Sequence, residues 1–258
     1  MSRIAKRRLF FALNFVCGGI VMVDCLRGAQ PGADQPGVLP AMRELSPGIY
    51  AIGNLRLDKN ANNLSFPGTV QLDKGYLEYL LVAPFGSTHE SLLVTEVQPS
   101  DVHFAMLLLG AKGAGILTPA PEDKAPGQIN AEYLKHAPRL QGDGLTITVT
   151  WSRNGKRETA PVENWIINTA TNKPAEKGPW IYTGSMFSSG KFLAQIEGCV
   201  AALVTNPSAL INNPRAGHDD DQIWMVNEKA VPPAETPLEI TIHLEHGDAK
   251  QSAAPSAK

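Results

Sequence analysis

Cysteine is nearly missing from this chain. Of three in 258 residues, Cys17 and Cys25 fall close to the N-terminus and only Cys199 belongs to the body of the sequence. A lone thiol makes no internal disulfide, no Cys-type zinc site and no iron–sulfur cluster. Basic charge is also scarce once the first 27 residues are set apart. They hold five basic residues and one acid, so the net charge of −2 becomes −6 without them. An acidic body with no basic stripe argues against a nucleic-acid partner. Several signatures of chemistry are missing as well. There is no phosphate-cradling glycine loop, no H-E-x-x-H pair and no dinucleotide fingerprint, and Gly184-Ser185 is not part of a G-x-S-x-G elbow.

The N-terminus has what the rest lacks. Arg3, Lys6, Arg7 and Arg8 precede a mostly apolar run of about fifteen residues, Leu9 to Val23, broken only by Asn14. A basic start followed by a short apolar core is the layout of a secretory signal. The run falls short of the ~20 residues that span a bilayer. Residues 1–27 therefore read as a signal peptide, with an uncleaved N-terminal anchor as the alternative. This places the remainder outside the cytoplasm, in periplasm, envelope or medium, with the membrane touched only through an uncleaved segment. Residues 28–43, rich in Pro and Gly, read as a linker, and 247–258 as a disordered tail.

Between them, 44–246 reads as one β-rich domain. Twenty Pro and 23 Gly suit many short strands better than a helical bundle. Leu64–Leu72 and Tyr76–Ala83 read as a hairpin turning at Asp73-Lys74-Gly75, with Pro67 marking an edge or a bulge. Leu145–Trp151 alternates cleanly and Asn154-Gly155 is a hairpin turn. Pro161–Asn168 reads as a helical turn placing Trp165. Trp180–Phe187 and Lys191–Ile196 read as a strand pair, Cys199–Thr205 as a buried strand, and Ile223–Asn227 and Leu238–Leu244 as the closing strands. One helix stands out at about 100–110, with Ser100 as N-cap. Val102, Ala105, Met106 and Leu109 repeat at helical spacing, and Phe104, Leu107 and Leu108 fill the other side, so burial on more than one face is expected. The fold class is thus mainly β or α+β: antiparallel strands and hairpins packed around one buried helix. Residues 112–141 form a Pro-rich loop insertion with a short helix near Asn130–His136.

Four clusters are candidates for function. His89, Glu90 and Ser91 can serve as acid, base or metal ligands, or satisfy backbone groups at a loop. His218, Asp219, Asp220 and Asp221 resemble a hard-cation loop but lack the full calcium-loop pattern, so a solvated acidic loop is the alternative. Trp180 and Tyr182 share a strand face and, with Ser185, can line a ligand groove or can be core aromatics. His103 lies on the apolar helix and reads as a packed histidine, while His243 and His246 read as strand-edge residues.

The order of several segments is similar to that of the YdjY-domain proteins. His89-Glu90-Ser91-Leu92-Leu93-Val94-Thr95 is followed by Pro99-Ser100-Asp101-Val102-His103 and Leu109-Gly110-Ala111-Lys112. Glu163-Asn164-Trp165, Trp180-Ile181-Tyr182-Thr183-Gly184-Ser185, Asn206-Pro207-Ser208-Ala209 and the Pro232-Pro233 to Thr236-Pro237 stretch complete the pattern. The resemblance spans about Val70 to Leu244. It implies an exported bacterial domain and brings no catalytic residues with it. Some relatives carry a ferredoxin-like label, from which this chain departs because it has no cysteine cluster. The reading that follows is a noncatalytic domain without a cofactor, binding an envelope protein, a wall component or a small ligand, or serving a structural role. The alternative is a metal-dependent enzyme, with a divalent ion held by His89, Glu90 and the 218–221 loop.

Overall fold

The computed structural model describes residues 41–117 and 139–245. The leader, most of the linker, the middle of the insertion with His136, and the tail with His246 lie outside these residues. Strands account for 45% of the structure and helices for 12%, so β pairing carries the fold. β1 (Met42–Ser46), β2 (Ile49–Ile52), β3 (Leu55–Asp58) and β4 (Asn63–Val70) form an antiparallel meander. β5 (Tyr79–Val82), a 3₁₀ turn at Thr88–Glu90 and β6 (Ser91–Val94) lead to α1 (Pro99–Leu108). β7 (Gly113–Leu117) pairs with the start of β8 (Arg139–Arg153), and β9 (Lys156–Pro161) returns along its end. After a 3₁₀ turn at Val162–Trp165 come β10 (Ile166–Asn168), β11 (Lys173–Pro174) and β12 (Trp180–Tyr182). The hairpin β13 (Phe187–Ser188) and β14 (Lys191–Phe192) opens directly into α2 (Leu193–Glu197). β15 (Cys199–Ala202), β16 (Ile211–Asn212), β17 (Trp224–Val226) and β18 (Pro237–Leu244) complete the chain.

Eight of these strands close into a barrel in the order β4-β18-β8-β12-β16-β15-β5-β6, with β6 returning to β4. Closure rests on two residue pairs, Thr69↔Val94 and Val70↔Leu93. Two pairings, β5–β6 and β15–β16, are parallel, and the rest are antiparallel. The barrel has two kinds of wall. On the β4–β18–β8 side the residues alternate, with Leu64, Phe66 and Val70, Leu238, Ile240, Ile242 and Leu244, and Leu145, Ile147, Val149 and Trp151 buried. Their neighbours face solvent, as expected for a sheet wet on one side. On the β5–β6–β15 side the strands are apolar almost throughout, because α1 and α2 pack outside β15 and remove its second face from water.

Several expected elements hold. The β8–β9 hairpin turns at Asn154 and Gly155, both at positive φ (52° and 74°), the geometry that a two-residue hairpin of matching twist needs. Trp165 is buried by its 3₁₀ turn. Others are corrected. β4 and β5 do not pair, since β6 lies between them and the turn at 73–75 only redirects the chain. Pro67 is not in a bulge but at a local edge, paired with β18 on one side only. It sits where β3 has left β4 and β6 has not yet joined, and its carbonyl on that side accepts the Thr95 hydroxyl at 2.7 Å. A missing N–H costs nothing there. Residues 193–197 form a helix, not a strand. β8 reaches back to Arg139, so both flanks of the insertion are paired strand. His243 lies on a strand paired on both sides.

The helix is corrected too. α1 buries Pro99, Val102, Ala105 and Met106, but Leu107 is 51% exposed, so one face and not the whole helix is covered. Gln98, not Ser100, is the N-cap, and its side chain makes no cap bond. Gln195 of α2 supplies the acceptor instead: its Oε1 takes the Ser100 N–H at 3.1 Å while its amide donates to Gln98 Oε1 at 2.7 Å. A first-turn donor with no partner inside the helix is thus satisfied by a neighbouring element.

Candidate functional site

The candidate pairs fall at three places. The 3₁₀ turn holds His89 and Glu90 at the surface, 3.6 Å apart, with the His89 side chain 75% exposed. Ser91 is buried and donates to the Leu93 carbonyl at 2.8 Å, so its hydroxyl serves the chain itself. The 218–221 loop is tied internally. Thr205 Oγ1 and His218 Nδ1 share a hydrogen bond of 2.5 Å, the Gln222 N–H donates to Asp220 Oδ1 at 2.8 Å, and the Trp224 indole donates to the Gly217 carbonyl at 3.0 Å. Burial pulls the His218 pKa down, with Asp219 pushing it back. The Glu78 carboxyl, raised chiefly by burial, is raised further by both Glu90 and Asp221. Among the described residues, however, no three His, Cys, Asp or Glu side chains converge as metal ligands.

Trp180 and Tyr182 share one face of β12, as expected, and that face turns inward. Trp180 is core. Its indole N–H donates to Glu163 Oε1 at 2.9 Å, and the Arg215 guanidinium lies 4.9 Å from its ring centre. Arg215 also reaches Glu163 Oε1 at 2.6 Å and holds the Gly178 carbonyl, the Asn213 side chain and the Glu176 carbonyl. Glu163 and Arg215 are 4% and 8% exposed, so this is a buried ion pair. Burial lowers the Arg215 pKa while Glu163 and Glu176 oppose the shift.

Tyr182 behaves differently at its hydroxyl end, which lies 2.6 Å from His103 Nδ1. This pair borders an open cleft of about 340 Å³, whose walls are His103 and Leu107 of α1, Gly113 and Ala114 of β7, and Tyr182 through Ser185. Burial raises the Tyr182 pKa well above the phenol range and lowers that of His103. The other hydroxyls are spent internally. Ser185 Oγ donates to the Ser208 carbonyl at 2.7 Å and accepts the Ala194 N–H at 3.1 Å. Thr183 Oγ1 accepts from Asn212 at 2.9 Å. Beside the cleft the rings of His103, Phe192 and Phe187 follow one another at 4.8 and 5.1 Å, out to a Phe187 that is 66% exposed. Leu107 and Met186 are also exposed, at 51% and 45%.

Of the expected groove, then, Tyr182 and Ser185 line a cleft and Trp180 does not. Sequence reasoning passed over His103 as a packed residue. The available signal was only a histidine at position 103 of an otherwise apolar helix; that Leu107 beside it stands uncovered is seen only in the fold. It also missed Arg215, because nothing local links it to Glu163.

A YdjY-domain family model matches residues 55–243. The chain belongs to the YdjY-domain family. The match takes in most of the YdjY barrel, from β3 to the last turn of β18, together with both sides of the cleft. No curated protein and no solved structure matches it. Among the described residues no helix is long and apolar enough to cross a membrane.

Proposed function

We propose that this YdjY domain is an exported, noncatalytic binding module of the cell envelope, and that its ligand seats in the His103–Tyr182 cleft. One observation carries the reading: the Tyr182, Thr183 and Ser185 hydroxyls at the cleft are each engaged within the chain, while exposed apolar side chains stand on its wall, Leu107, and on the segment that follows Ser185, Met186 and Phe187. A preorganised wall loses little on binding, and exposed apolar groups beside a concavity favour burying a partner. Nucleophilic chemistry needs the reverse, a hydroxyl free to attack.

The test is co-sedimentation of the purified protein with isolated cell envelopes, comparing the natural chain with a Leu107→Glu, Phe187→Glu variant. Both positions are exposed, so the variant is expected to fold normally by circular dichroism and to lose retention. Equal retention of the two proteins sinks the reading. Export is checked separately by cell fractionation, with the protein expected outside the cytoplasm and full-length material confined to the cytosol counting against it.

A further inference from the structure

The two ring nitrogens of His103 have different surroundings. Nδ1 faces the Tyr182 hydroxyl at 2.6 Å. Tyr182 is fully buried and its hydroxyl has no other partner among the described residues, so an O–H that only accepted from His103 would be left without an acceptor; the favoured arrangement has the O–H donating and Nδ1 accepting. In a neutral imidazole the proton then sits on Nε2. Among the described residues Nε2 has no partner, yet it is not a sealed, unpartnered nitrogen in the way that Trp151 Nε1 is. His103 is one of the residues that wall the cleft. Turned to that wall, its Nε2–H is a hydrogen-bond donor that nothing in the described chain uses.

The rest of the lining narrows what can take that donor. Among the described residues no Lys, Arg, Asp or Glu side chain contributes to it. A carboxylate or phosphate would lose its water without gaining a countercharge, and an ammonium would meet an N–H with no acid behind it. Where Gly113 meets Thr183 and Gly184 the walls are bare main chain, and a Cβ on Gly113 would stand 2.7 Å from the Thr183 carbonyl oxygen. Leu107 adds an apolar edge. We infer that the cleft takes a neutral amide-bearing ligand, such as a short run of peptide, which presents a carbonyl oxygen to the His103 Nε2–H and lays an apolar group against Leu107. This rests on the cleft being the binding site and specifies its chemistry. Tyr182 is the positioning residue: it holds the tautomer that points the proton outward.

The experiment uses the full chain labelled with ¹⁵N, with imidazole nitrogens followed by NMR at neutral pH. The probes are phenylacetamide, phenylacetate and phenethylamine, similar in size and different in charge. The free protein is expected to show His103 as the Nε2–H tautomer. The amide is expected to shift its signals saturably, with the two charged probes at least about tenfold weaker, the scale of one lost hydrogen bond. Tyr182→Phe keeps the ring and removes the hydroxyl, so a mixture of tautomers and weaker amide binding are expected. A free protein in the Nδ1–H form overturns the inference. So does saturation by a charged probe in preference to the amide, which leaves the cleft as a binding site of another class. If none of the three probes saturates, the inference also falls, and envelope retention then decides the broader reading alone.

Discussion

Glu163 and Arg215 are 52 positions apart in sequence and share a hydrogen bond behind Trp180. Removing one partner strands the other charge in the interior. Glu163→Ala is expected to cost about 3–5 kcal/mol, measured by chemical denaturation. Replacing both residues with well-packed apolar ones is expected to cost much less than the sum of the single changes, and a double-mutant cycle reads the difference. Two histidines set a pH dependence. Burial lowers the pKa of both His103 and His218 below the ordinary value of 6.5. Below that value the unfolded chain takes up protons that the folded chain refuses, so stability falls as pH drops from about 6.5 toward the lower folded values. Asp101 and Glu78, raised by burial, work in the opposite direction. His218→Gln is expected to flatten the loss between pH 6.5 and 5.5 in thermal melts. At this scale little was legible in advance. The residue types that matter were visible, but His103 meets Tyr182 across 79 positions and Glu163 meets Arg215 across 52, and only the fold brings them together.

Elements were easier to read where the signal was local. The alternation of Leu145–Trp151 in β8, the closing strand at Leu238–Leu244 and the Asn154-Gly155 turn depend on neighbours in sequence, and all three appear as expected. The β4–β5 hairpin failed because a turn signal says that the chain reverses, not that the flanking strands pair. Here the strand that separates them, β6, comes later in the chain. α2 was read as strand because five residues are too few to show a period. Two glycines separate backbone strain from crowding. Gly155 has a positive φ and open space around it, whereas a Cβ at Gly142 would lie 1.8 Å from the Tyr182 carbonyl oxygen. Gly155→Ala is expected to cost about 1–2 kcal/mol, the strain of a left-handed residue. Gly142→Ala adds a backbone collision in the β8–β12 region and is expected to cost at least about 3 kcal/mol, beyond usual overpacking. Denaturation of the two variants side by side checks the order, and equal losses would contradict the close approach.

At the scale of the whole molecule, the mainly β class was legible from composition and turn spacing, but barrel closure was not. A closed ring and an open sheet share the same alternation, and the closing contact is only two residue pairs long. That seam is one of three short joints in the ring, since β12–β16 and β15–β16 also pair over two residues each. Hydrogen exchange is expected to be slowest in β8, β18 and the first half of β4, and faster in β6 by at least about tenfold, because short pairings open locally at lower cost. Uniform protection around the ring would contradict this. The placement of β18 has a further consequence. It lies between β4 and β8 with seven residue pairs on each side, yet it is the last strand of the described chain. While the ribosome is still making the region before Pro237, those two walls have no common neighbour and the ring has a gap. Closure of the ring therefore waits for one of the last segments to be made, and a chain shortened before Pro237 is expected to leave β4 and β8 without their shared partner.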